Sequence, residues 1–497
     1  MAKAVTKYLT IGVSMLVGIG IFLFWYVAYP HALSYQEQYQ LFLWTGDYFI
    51  EKVSLPGGFA DWLGEFIVQF YYVEWLGALL LALLFVVLQR IACQILTSYL
   101  SPLTSHLLSL LPVALLWWMM GDINLLLSLP VAVVLALALC LVRMPKRLSL
   151  ADVVIVPVAY WLIGPAVWIY VIVRSLQWGW RHLWTAGWLV AVQIAAYAWL
   201  LPQWQLERVM TGLTYYRIPL HYPQLKGYDK DMYELIRLDY LVRHERWDDI
   251  VKRAREYQVR TPFWSNCVNL ALAEKRLLAD RMFDFYQSGE DALIMPRVRD
   301  LTSMLPTAET FWRLGMVNSA QRYMFDTQES ILTGQKSGRC TRRIAECMIV
   351  NGHYATAAKQ IDLLKKTLFY RSWAKEAEAM LGDEARINAH PVYGKLRKLR
   401  YKENFLYSYE EIDKMLGLLF MNNPENKMAL DYFMGQMLLK GNIQGFQQYM
   451  GWVQQYGGYR QMPLGYQDAM RCIQSRGNAP GSAYGAYVKR MVERRSE

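Results

Sequence analysis

Residues 184–217 read WTAGWLVAVQIAAYAWLLPQWQLERVMTGLTYYR, and this stretch decides the fold class. Its first part, Trp184–Leu201, carries no charge, whereas Glu207, Arg208 and Arg217 follow directly. The change holds for the whole chain: residues 1–202 contain 8 acidic and 9 basic side chains, residues 203–497 contain 33 and 43. A half this poor in charge folds against lipid, because charged side chains are expensive in hydrocarbon, and a half this rich in it folds against water.

Five further apolar runs approach the roughly 20 residues that cross about 30 Å of hydrocarbon as a helix. They are Thr10–Ala28, Val73–Leu88, Leu103–Met120, Leu125–Val142 and Val153–Val173, which with Trp184–Leu201 predict about six spans. Thr10–Ala28 reads as a span and not as a cleaved leader, since it runs on through Phe22, Phe24, Trp25 and Tyr26 without a small-residue cleavage site. Gly164-Pro165 can kink the fifth run or break it into a re-entrant pair; it is read as one kinked span, and an odd count stays open. Cytoplasmic loops collect Lys and Arg. With the N-terminus inside, Lys3, Lys7, Arg90, Arg143, Lys146 and Arg147 face inward against Lys52, Arg174 and Arg181 outward, six to three. Six spans leave the second half in the cytoplasm; an odd number leaves it periplasmic.

The first outer loop, residues 30–72, holds the membrane half's chemistry. Phe59, Leu63, Phe66, Ile67 and Phe70 form one helical stripe with Asp61 and Glu65 off it, and a second helix is predicted over Glu37–Ile50. The expected arrangement is a pair of helices in the headgroup plane, aromatics down and carboxylates up. In layout the loop is similar to that of membrane glycosyltransferases using lipid-linked sugars. That likeness names Glu37 and Asp47 as alternative candidates for a base or a ligand of a phosphate-bound divalent ion.

From Tyr228 onward the pattern is helix, short turn, helix. Turns near residues 245, 276, 316 and 352 lie 31, 40 and 36 residues apart, close to the 34-residue period of tetratricopeptide-like pairs, and another turn falls at Gly441-Asn442. Asn351-Gly352-His353-Tyr354-Ala355 is the clearest unit: a Gly ends one helix and an aromatic opens the next. Stacked pairs of this kind present a curved surface that binds protein segments. Ser475–Gly485 reads as a linker and Ala486–Glu497 as a basic tail.

The domain plan is therefore a transmembrane domain over 1–202, a connector over 203–227, a helical-repeat domain over 228–474 and a linker with tail over 475–497. The fold class is all-α: a polytopic transmembrane helical domain followed by a tetratricopeptide-like helical-repeat domain. Six scattered cysteines share no CxxC spacing, and phosphate-loop, HExxH, GxSxG and dinucleotide motifs are missing, so no cofactor and no metal is expected. The net charge of +11 is spread over mixed-sign helices without a nucleic-acid module, so no nucleic acid is expected either. Leu41–Phe49, Pro56–Phe70, Arg339–Ala374 and Asn423–Leu439 resemble an uncharacterised family of Bacteroidota multi-pass inner-membrane proteins with a tetratricopeptide-like C-terminal domain. The resemblance implies location and fold and transfers no catalytic residue. The leading expectation is a bacterial inner-membrane protein, N-terminus cytoplasmic, that touches the lipid bilayer and holds another protein through its repeats. The alternative is the lipid-linked-sugar transferase.

Overall fold

Backbone polar groups in hydrocarbon must pair within their own segment, and helices achieve this. The computed structural model describes residues 2–142, 150–200, 227–296, 302, 304–331, 336–401, 403, 411–476 and 479–496, and contains no strand among them. The chain is all-α, as the sequence predicts. It divides into two compact units: residues 1–233 with 366–371, and residues 234–365 with 372–497. The connector 203–227, apart from Gly227, and Arg143, Lys146 and Arg147 lie outside the described residues.

The first unit is built from α1 (Ala2–Leu23), α2 (Pro30–Gln38), α3 (Gly46–Val53), α4 (Gly58–Val68), α5 (Glu74–Leu96), α6 (Pro102–Leu108), α7 (Leu110–Met120), α8 (Ser128–Cys140), α9 (Asp152–Ile163), α10 (Val167–Trp178) and α11 (Trp184–Leu200). Where about six spans are predicted, four stretches among the described residues are long and apolar enough to cross a membrane: Tyr8–Ala28, Glu74–Leu96, Pro102–Met120 and Asp152–Trp178. The apolar α8 has 13 residues. Polar side chains tie the long helices together. Ser14 donates to Gln89, whose amide donates to Ser109, both at 2.9 Å, and Thr10 pairs with His106 at 2.8 Å.

The stretch Asp152–Trp178 is not straight. In one helix, Asp152 and Tyr170 would stand about 27 Å apart along the axis, yet the Tyr170 hydroxyl donates to Asp152 Oδ1 at 2.6 Å. Gly164 makes the reversal: at φ +61° and ψ −149° it adopts a backbone that residues with a Cβ rarely reach, and Pro165 follows. The chain therefore folds back, with α9 and α10 side by side. α11 runs parallel to α9, since Trp188 Nε1 donates to the Val153 carbonyl at 3.0 Å while Trp199 stacks on Trp161 eleven residues later.

In the second unit one turn recurs. Glu245, Arg276, Gly315, Gly352 and Gly441 each have a left-handed backbone, with φ of 55°, 58°, 85°, 80° and 70°. After each, the next amide donates to the carbonyl five residues back: Arg246 to Leu241, Leu277 to Leu272, Met316 to Phe311, His353 to Met348 and Asn442 to Met437, at 2.7–2.9 Å. This is the Schellman helix ending. A new helix then starts two residues on, at Trp247, Leu278, Val317, Tyr354 and Ile443. Ion pairs stitch the first helices of the pairs: Arg339 grips Asp239 at 2.6 and 3.1 Å, and Arg343 grips Glu309 at 2.9 and 3.0 Å and lies over the Trp312 ring. Burial alone would raise the Glu309 carboxyl, but Arg343, Arg339 and Arg313 together hold it below its ordinary range. Where the sequence predicts a linker and basic tail, residues Ala483–Ser496 form a helix. Its Tyr484 and Tyr487 are buried and donate to the carbonyls of Leu438 and Leu439 at 3.3 and 2.9 Å. Aromatics three residues apart on one helical face outweigh the local Gly, Pro and Ser content.

The turn geometry sets a graded expectation. Gly352→Ala meets no neighbouring atom and costs only backbone strain, about 1 kcal/mol. Gly315→Ala costs more, because its Cβ would stand 2.9 Å from the Leu399 Cβ and 3.1 Å from the Leu399 carbonyl carbon. Thermal unfolding of the detergent-solubilised chain checks the order of the two midpoints.

Candidate functional site

The first loop builds the most concentrated polar cluster of the first unit. Thr45 caps α3 by accepting from the Tyr48 amide, and Gly57, at φ +81°, turns the chain into α4. On α4, Asp61 and Glu65 are one turn apart and so share a face. Both are buried, and Lys52 of α3 reaches between them, 2.9 Å from Asp61 and 2.6 Å from Glu65. The Tyr48 hydroxyl donates to Glu65, and Ser128 at the start of α8 donates to Asp61 at 2.8 Å. One ammonium thus serves two carboxylates. Burial pushes the Glu65 carboxyl up from 4.5 to about 7, against the pull of Lys52 and with help from Asp61. Burial alone would lower the Lys52 ammonium, but the two carboxylates outweigh it and raise it.

This corrects the expected in-plane arrangement with carboxylates up. The carboxylates of α4 point into the protein, while its rings face outward: Phe59 stacks on Trp62, Trp62 on Phe66, and Phe66 meets Phe70 edge-on. Phe49 and Ile50 of α3 are exposed. Against lipid an amphipathic helix is turned inside out, because the solvent is now apolar.

The two candidate acids lie in different settings. Glu37 is buried in α2, a helix whose polar residues His31, Ser34, Gln36 and Gln38 are buried too. It accepts a hydrogen bond from the Tyr370 hydroxyl at 2.9 Å. Asp47 is exposed in the first turn of α3, where a carboxylate favours the helix N-terminus. Tyr370 belongs to the segment 366–371, which packs as part of the first unit. The Trp44 amide donates to the Lys366 carbonyl at 2.8 Å, and Phe369 stacks on Tyr72. The loop thus holds six residues that are distant in sequence.

A second cluster sits where α9, α10 and α11 begin or end. Asp152 Oδ2 stands 2.8 Å from His182 Nε2, its other oxygen takes the Tyr170 hydroxyl, and buried Arg174 donates to the Val142 carbonyl. His182 is flanked edge-on by Trp178 and Trp184. In the second unit, Arg260, Tyr286, Gln287, Tyr487, Arg490, Met491 and Glu493 line a pocket of about 170 Å³ that presents both signs of charge. Among the described residues no three His, Cys, Asp or Glu side chains come together as a metal site.

A family model matches residues 6–497. The chain belongs to DUF6057, a family of unknown function. No curated protein and no solved structure matches it. For this DUF6057 member, sequence reasoning missed Tyr48, Lys52 and Ser128, and also Tyr170, Arg174 and His182. The available signal was the helical spacing of Asp61 and Glu65 away from the aromatic stripe, which marks one face without saying whether it looks in or out.

Two substitutions separate the roles in the first cluster. Lys52→Met leaves two buried carboxylates without a cation and is expected to cost about 3–5 kcal/mol. Because folding raises the Glu65 pKa, the folded chain holds that proton more tightly than the unfolded one. Its contribution is complete below about pH 4 and is lost as pH rises through about 7. Melting midpoints taken across that range should fall more steeply for the wild type than for Glu65→Gln.

Proposed function

We propose that this chain is a multi-pass protein of a bacterial inner membrane whose second half, a stack of tetratricopeptide-like helical pairs, holds and organises a protein partner. The reading is supported by the turn repeated at residues 245, 276, 315, 352 and 441, which ends five helices in one geometry. Pairs of one geometry stack into a continuous surface, and such surfaces are used chiefly to bind protein segments. Exposed positions such as Thr356 and Lys359 on Tyr354–Lys365 would lie on it. The full-length tagged chain is expected to copurify from native membranes with one partner in fixed stoichiometry. Thr356→Glu with Lys359→Glu should release that partner without lowering the melting midpoint. Recovery of no stoichiometric partner counts against the proposal.

A second reading, a transferase acting on a lipid-linked sugar, draws on the placement of Glu37 as a buried acid of the first loop. Under it, Glu37→Gln abolishes product formation while Tyr370→Phe and Asp47→Asn keep most of it. Under a purely structural role, Glu37→Gln and Tyr370→Phe each destabilise by about 1–3 kcal/mol and leave any activity per folded molecule unchanged. Product assays with melting curves on the three variants separate the two.

A further inference from the structure

We infer that the apolar half crosses the bilayer in seven legs and not six, so that the water-type half faces the same side as the first loop. The extra leg comes from the reversal at Gly164, which turns the fifth apolar run into two antiparallel helices, α9 and α10. Each has 12 residues, about 18 Å of helix, and α8 has 13, about 20 Å. These legs are short of the roughly 30 Å of hydrocarbon. The first loop makes up the difference on one side. Trp161 near the tip of α9 donates to the Val53 carbonyl at 2.9 Å, its own carbonyl takes the Gly57 amide at 2.9 Å, and Ser128 at the start of α8 reaches Asp61. α3 and α4 therefore sit over the short legs, and this is why their charges turn inward.

Following the chain through these contacts fixes the sides. The ends of α1 and α7, the starts of α2 and α8 and the tip of α9 all gather at the first loop. Residues 227–233 gather there as well: the Tyr29 and Tyr228 hydroxyls bond at 3.0 Å, Tyr233 lies edge-on to Tyr29 and His31, and Gly121 packs against the Tyr228 backbone. The segment 366–371 arrives at the same loop, through Trp44, Glu37 and Tyr72. Neither Tyr354–Lys365 before it nor Arg371–Glu378 after it is apolar enough to cross a membrane. The opposite side holds Val142, Asp152, Arg174 and His182.

The distribution of basic residues agrees independently. Six legs divide the nine Lys and Arg of residues 1–202 six to three. Seven legs carry Arg174 and Arg181 to the side of the N-terminus and leave Lys52 alone opposite, eight to one, and Lys52 is neutralised by its carboxylates. That is the stronger cytoplasmic bias. With the N-terminus inside, a partner of the second half is a protein of the outer, non-cytoplasmic side. This last step rests on the proposed binding role; the topology does not.

Single cysteines added to the full chain test it, since the six native ones are buried. Asp47→Cys marks the first loop and Ser98→Cys the turn after α5, both at exposed positions. In spheroplasts, a membrane-impermeant maleimide is expected to label Asp47→Cys and Thr356→Cys alike, and Ser98→Cys only after permeabilisation. Thr356→Cys labelling together with Ser98→Cys overturns the inference. Reporter fusions ending after Ile163 and after Trp178 should read opposite sides; fusions reading the same side overturn the seventh leg. Neither readout depends on whether a partner binds.

Discussion

A buried charge is costly unless it is paired, and in this chain that constraint bears hardest on Lys52 between Asp61 and Glu65. Two helices of a polar loop can pack onto α8 and α9 only if their charges neutralise one another inside. The ammonium, the two carboxyl groups and the Tyr48 and Ser128 hydroxyls do this together. Once the charges are inside, the rings of Phe59, Trp62, Phe66 and Phe70 are free to face outward. The loop then forms part of the packed first unit.

The rest of the first unit depends on that packing. Near the tip of the 12-residue α9, Trp161 donates to the Val53 carbonyl and accepts from the Gly57 amide, which ties the helix to the loop. The polar helix α2, sealed by its neighbours, gives Glu37 a setting in which it takes the hydroxyl of Tyr370. Through this bond and the Trp44–Lys366 backbone bond, a short segment between two polar helices becomes part of the membrane-side unit.

What the sequence made legible follows the physics. Helical class and the change of environment were visible because charge density is a bulk property. The turns at 245, 276, 352 and 441 were visible because Schellman endings leave a local mark, a Gly or a short polar turn before a new apolar run. The sequence leaves the fold-back at Gly164 open, because a Gly-Pro pair looks the same in a kink and in a reversal; the Asp152–Tyr170 bond distinguishes them. The direction of α4 was misread because periodicity gives two faces without saying which one meets lipid. The partnership of Glu37 with Tyr370 spans 333 residues and leaves no local trace.

Residues 366–371 are built into the first loop. A backbone hydrogen bond of 2.8 Å between Trp44 and Lys366 places their Cα atoms within the roughly 4.4–6.8 Å that a disulfide spans. Trp44→Cys paired with Lys366→Cys, oxidised in native membranes, measures it directly. A rapid intramolecular disulfide is expected, seen as a shift in non-reducing gel mobility that either single variant lacks. A double variant that stays reduced while both thiols remain open to labelling would contradict it.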